Sequence, residues 1–112
     1  MWVNMSDNST TVQLKHPIKS HKGDVSSIDI REPTAGSFVR HGEPCKVRMN
    51  GEQFELDFND KATMGFLADC TDHDEIVLSS LKASDYMALR NALARLILGL
   101  AGADFTKPSV AA

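Results

Sequence analysis

The sequence has little of what marks a secreted or membrane-bound chain. Two cysteines in 112 residues cannot build a disulfide framework, which excludes the small stapled scaffolds and points to a reducing compartment. The longest apolar run, Leu96 to Ala103, contains two glycines and falls far short of the ~20 residues that span a bilayer. The opening Met1–Thr11 is polar and has no cationic start followed by an apolar stretch, so no signal peptide is expected. Aromatic residues make up only 6%, and the basic residues are scattered with few aromatics near them. Nucleic-acid binding needs a concentrated cationic face with stacking groups or a recognition helix, so it is not expected here. Sequence signatures of enzymes are also scarce. There is no Gly-rich phosphate loop, no Gly-x-Ser-x-Gly elbow and no His-Glu-x-x-His.

What is present is an ordinary globular balance. Apolar residues at 42% and charged residues at 24% argue against disorder, and the length fits one domain with one core. The net charge of −3 conceals a segregation. Residues 13–48 hold seven bases against four acids, while residues 49–85 hold nine acids against two bases. The acidic stretch reads as a solvated face that keeps the chain soluble, or as a surface that selects a basic partner.

Alternation and turn residues organise the first half. Val12 and Leu14 alternate with polar neighbours, which predicts a strand over 11–16 that Pro17 ends or bends. Ile28 and Ile30 share one face of a second strand over 25–31, after a longish loop closing on Gly23-Asp24. Thr34-Ala35-Gly36 reads as a turn or one helical turn, with Phe38 and Val39 as anchors. Cys45–Met49 and Glu52–Phe58 flank Asn50-Gly51, a dipeptide that readily takes the positive φ a two-residue hairpin needs. Phe54, Leu56 and Phe58 alternate with Glu55 and Asp57, giving one apolar and one acidic face.

The second half reads as helical. Asn59 or Asp60 caps a helix to about Cys70, with Met64, Leu67 and Cys70 toward the core. Asp72–Leu81 places acids where a helix start favours them. Ser84 caps the last helix, with Asp85 and Tyr86 in its first turn. Tyr86, Leu89, Leu93, Leu96, Ile97 and Leu100 form one broad apolar stripe, and Gly99 and Gly102 offer stops. The expected fold class is therefore α+β: antiparallel β-hairpins followed by about three helices. A flexible N-terminus over 1–10 precedes a single domain over 11–102, β-rich to residue 58 and helical after it. Residues 103–112 are expected to form a flexible tail.

Met87, Ala94 and Leu98 lie about a quarter turn from the buried stripe. Either the small domain buries two sides of its longest helix, or these three residues dock a partner helix. They are the candidate partner-binding residues. Chemistry has one constellation to weigh. His41 and Cys45, with Cys70 and His73, have the donor types of a zinc site, but His41 falls in a loop and Cys70 suits an apolar helix face. A thiol nucleophile at Cys45 or Cys70 would need His41 or His73 as an oriented base. The reading is no catalytic residue, no metal and no cofactor.

Three motifs in order carry a family resemblance. Val12-Gln13-Leu14-Lys15-His16-Pro17-Ile18 resembles an opening strand with a Pro-Ile corner. Ile28-Asp29-Ile30-Arg31-Glu32-Pro33-Thr34-Ala35-Gly36 resembles an Arg-Glu-Pro-x-x-Gly signature. Phe66-Leu67-Ala68-Asp69-Cys70-Thr71, with Leu81 and Asp85-Tyr86, resembles a helical half. Over about residues 11–100 the chain is similar to the tail assembly chaperones of Mu-like and related contractile-tailed phages and prophages. The segment 38–58 is longer than that family's usual connector. The resemblance implies a non-enzymatic protein of the bacterial host cytoplasm that binds the tape-measure protein and keeps it soluble during tail assembly. It also implies a frameshifted longer form of the same chain as a partner, and a homo-oligomer. The alternative is a structural tail or baseplate component retained in the virion. Neither nucleic acid nor membrane is implied.

Overall fold

The computed structural model describes residues 9–100. The fold is α+β. Its order is β1 (Thr10–Ser20), β2 (Gly23–Ile30), α1 (Ala35–His41), β3 (Cys45–Asn50), β4 (Gln53–Phe58), α2 (Asp60–Cys70), α3 (Glu75–Leu78) and α4 (Ala83–Leu100). The expected flexible stretches at either end and the Gly102 stop fall wholly or largely outside the described residues.

The first hairpin supplies one wall of the core. β1 and β2 pair antiparallel from Thr10 opposite Ile30 to Ser20 opposite Gly23. The loop is only His21-Lys22, tighter than the longish loop expected. Ser20 closes it: its hydroxyl accepts from the Lys22 amide at 3.1 Å and donates to the Gly23 carbonyl at 3.3 Å. Pro17 does not end the strand. The register instead breaks between Gln13 and Ile18, where residues 14–17 of β1 lie against Ser26 alone. A bulge accommodates the proline because an unpaired residue needs no ladder amide. Leu14, Ile18, Ile28 and Ile30 then all face inward.

Helices cover that wall. Phe66, Leu67 and Cys70 of α2, Leu78 of α3, and Leu89, Ala92 and Leu93 of α4 complete the buried cluster. Each large side chain buried there contributes about 1.5–3 kcal/mol relative to exposure. Asn59 is the cap of α2, accepting from the Ala62 amide at 3.0 Å. The 72–81 stretch is helical only over α3, capped by Asp74, and the rest is irregular chain and turn. The α4 stripe is buried through Leu89 and Leu93 and partly through Tyr86, Leu96 and Ile97, whereas Leu100 is half exposed. α4 starts a residue before Ser84, with the Tyr86 amide bonding the Lys82 carbonyl at 2.9 Å, so Ser84 lies inside the first turn.

α1 is a full short helix where a turn or single helical turn was expected, and it packs on α2. Phe38 meets Phe66 edge-on at 4.9 Å but stays 38% exposed. Val39 is 85% exposed and is no anchor among the described residues. The second hairpin, β3–β4, pairs in full register from Cys45 opposite Phe58 to Asn50 opposite Gln53. Its two-residue loop is Gly51-Glu52, one residue beyond the expected Asn50-Gly51, and Gly51 supplies the positive φ of 68°.

Candidate partner-binding site

Four side chains singled out for chemistry do not assemble. His41 turns to α2, where its Nε2 meets Asp69 Oδ2 at 3.0 Å and its ring lies near Phe66. A methyl group on Gly65 would overlap that ring, so the glycine makes room for the histidine. Cys45 and Cys70 are both buried and free. Burial, helped by the nearby Asp69 carboxylate, pushes the Cys70 thiol up to about 11. Burial and then Glu43 raise Cys45 as well. Thiols held this way are almost wholly protonated at neutral pH and are poor nucleophiles. His73 lines a separate cleft at the β1–β2 turn together with Asp24, Asp29 and Asp72. Among the described residues, no three His, Cys, Asp or Glu side chains are grouped so as to hold a metal ion.

Asp69 is the hub of the α1–α2 junction. One oxygen, Oδ2, accepts from Ser37 Oγ at 2.7 Å, from Arg40 at 2.8 Å and from His41 at 3.0 Å. Burial works to raise the Asp69 pKa, but hydrogen bonds from Arg40, Ser37 and His41 together outweigh it and hold the carboxyl below its ordinary value. Three neighbouring α1 residues thus converge on one α2 carboxylate and fasten α1 to α2. Ser37 bonds the carboxylate rather than the imidazole, so a direct serine–histidine pair is not formed.

The helical half carries an apolar groove of about 280 Å³ between α2, α3 and the start of α4. Met64, Leu78, Leu81 and Tyr86 wall it, and Asp60 stands at its rim. Tyr86 donates to Asp60 Oδ1 at 2.6 Å, and Arg90 reaches the same oxygen at 3.2 Å. The Arg90 guanidinium also lies over the Phe58 ring at 4.1 Å, which ties α4 to the base of the second hairpin. Burial, followed by the Asp60 hydrogen bond, pushes the Tyr86 phenol up to about 12. The Tyr86 hydrogen bond, then Arg90, holds Asp60 below its usual value. Tyr86 is therefore a neutral donor at the groove wall, fixed by an ionised acceptor.

The three α4 residues proposed for partner contact are placed differently from one another. Met87 is 47% exposed, Leu98 is partly buried, and Ala94 is 3% exposed with its methyl turned inside. They do not form one open strip. A more exposed apolar surface lies on the second hairpin, where Val47, Met49 and Phe54 are 41%, 65% and 48% exposed. The alternation Phe54-Leu56-Phe58 already signalled an apolar face, but alternation does not say whether a face is covered. No helix among the described residues is long and apolar enough to cross a membrane. No family model, curated protein or solved structure matches this chain.

Proposed function

We propose that this chain is a tail assembly chaperone of a contractile-tailed phage or prophage, acting in the host cytoplasm without catalysing a reaction. Its partner is the tape-measure protein, a long chain whose apolar helical stripes aggregate when uncovered. The observation that carries the reading is the apolar groove between α2, α3 and α4. A groove walled by Met64, Leu78, Leu81 and Tyr86 suits one turn or two of an amphipathic helix. Methionine adapts to varied side chains, which fits a partner offering many similar but unequal stripes. The acid excess of residues 49–85 adds repulsive charge to a coated complex. Weak individual contacts summed along one chain would hold the coat and still release it as tube subunits polymerise.

Co-expression with the tape-measure protein of the same tail cluster tests the proposal. The expected result is a soluble tape measure that co-purifies with many copies of this chain. A tape measure equally soluble without it would end the reading. Stoichiometric retention in purified virions would favour a structural tail component instead.

A further inference from the structure

The β3–β4 hairpin is tied to itself better than to the rest of the molecule. Its ladder runs unbroken from Cys45 opposite Phe58 to Asn50 opposite Gln53. Across it Arg48 forks between Glu55 at 3.2 Å and Asp57 at 2.9 Å. Neither strand pairs with a third strand among the described residues. Burial is confined to the base: Cys45 is the one buried residue of β3, and in β4 Leu56 and Phe58 are half-buried. Among the described residues, none of either strand belongs to the buried cluster that joins β1, β2, α2, α3 and α4.

Ties to the body stand at that base. The Pro44 carbonyl accepts the Asn59 amide at 2.8 Å and the Thr63 hydroxyl at 3.5 Å. The Arg90 guanidinium lies over the Phe58 ring at 4.1 Å. The connections on either side suit a hinge. Gly42, with a φ of 82°, ends α1, and α1 stays fastened to α2 through Asp69. Asn59 leads directly from β4 into α2. A few element-terminal residues of this kind are enough to absorb the backbone change of a hinge.

We infer that β3–β4 is a hinged arm, latched by Arg90 over Phe58, which unseats as one unit far more often than the molecule unfolds and uncovers Cys45 when it does. A segment with few buried apolar groups opens at a lower free energy than the core beside it, and a two-stranded ribbon adds little stability of its own. Opening withdraws Phe58 from Arg90 and exposes the Cys45 thiol, which is 6% exposed in the seated arm. Cys70, 2% exposed inside the core cluster, stays covered until the whole molecule unfolds. Arg90 also shares Asp60 Oδ1 with Tyr86, so one guanidinium joins the seated arm to the groove wall.

Initial rates of labelling with N-ethylmaleimide test it. The thiolate adds across the maleimide double bond, the proton ends on the adjacent carbon, and peptide mapping by mass spectrometry assigns each rate in the unaltered chain. The outcome does not depend on the tape-measure reading. Cys45 should react on the order of a hundredfold faster than Cys70. Its rate should also rise with urea along a much shallower slope, because less surface is exposed on opening. Ile28→Val, in the core and away from the arm, lowers the cost of global unfolding alone. Cys70 should then react roughly three- to tenfold faster, and Cys45 at its former rate. Phe58→Leu removes the ring beneath Arg90 and should speed Cys45 about threefold. Equal rates and equal urea slopes at the two thiols overturn the inference. So does an Ile28→Val change that accelerates both thiols alike, a Cys45 rate untouched by Phe58→Leu, or a Cys45 that reacts as fast as in the unfolded chain.

Discussion

Asp85 on α4 accepts the backbone amides of Lys15 and His16 on β1, Oδ1 and Oδ2 each at 2.9 Å. These amides lie in the bulge that Pro17 occupies, where β1 leaves its ladder with β2. Outside the ladder, such amides need another acceptor. The carboxylate takes both, so one side chain repairs the bulge and fixes α4 across the sheet. Asp85→Asn keeps the shape but offers one acceptor and presents an amide N–H to the second donor. Thermal unfolding should show Tm falling by several degrees. Hydrogen exchange at Lys15 and His16 should speed up more than exchange at Ile28 or Ile30.

Acid should unfold this protein through a small set of carboxylates. The amide hydrogen bond from Lys15, opposed by burial and joined by that from His16, holds Asp85 below its ordinary pKa. Asp69 and Asp60 are held low as well. A carboxyl whose folded pKa is depressed releases its proton more readily in the native state than in the unfolded chain. The resulting stability is full above the unfolded value of about 3.9 and drains away as pH falls through the lower folded values. Urea midpoints measured from pH 7 downward should stay level to about pH 5 and then drop. Asp69→Asn should flatten that drop. An acid limb of unchanged steepness in the variant would show that Asp69 contributes nothing to it.

Gly65 and His41 form a size-matched pair. Alanine is ordinarily preferred over glycine inside a helix by about 1 kcal/mol. At Gly65 the added methyl would collide with an imidazole pinned to Asp69. Overpacking of this kind costs about 1–3 kcal/mol, so Gly65→Ala should be net destabilising. Removing the ring first reverses the sign. In a His41→Ala background the same Gly65→Ala change should stabilise, giving a coupling of about 1 kcal/mol or more in a double-mutant cycle. Additive effects would mean that ring and helix can move apart freely.

The local architecture is largely readable from residue order. The alternation at Ile28-Asp29-Ile30 and at Phe54–Phe58, the Asn59 cap and the Leu89–Leu93 stripe each announce an element through its own period or cap. The parts that escape such reading depend on distant partners. Asp85 looks like an acid suiting a helix start, yet its acceptors serve a strand some seventy positions earlier. Asp69 looks like one acid in an acidic stretch, yet it gathers Ser37, Arg40 and His41 from α1. α1 itself spans seven residues, too few for a helical period to stand out from a turn. The groove has no sequence signature, because its walls come from three elements whose angles only the packed core fixes.

If the groove is the partner site, Met64 and Met87 should separate it from the outer face of α4. Met64 is partly buried on the groove wall, whereas Met87 is 47% exposed and is not among the groove's lining residues. Met64→Glu places a charge on an apolar wall beside Asp60 and should weaken tape-measure binding on the order of tenfold, the usual effect of spoiling one central anchor. Met87→Asp should cost less than about threefold, since a side chain outside the central contact carries little binding energy. Ile76→Asp, at a position 83% exposed on α3 and also not lining the groove, serves as the surface-charge control. Circular dichroism and Tm of each variant establish that the fold is intact before binding is compared. Should Met87→Asp abolish co-purification while Met64→Glu leaves it whole, the contact belongs to the face of α4 that Met87 and Leu98 share, and the groove is a packing seam between helices.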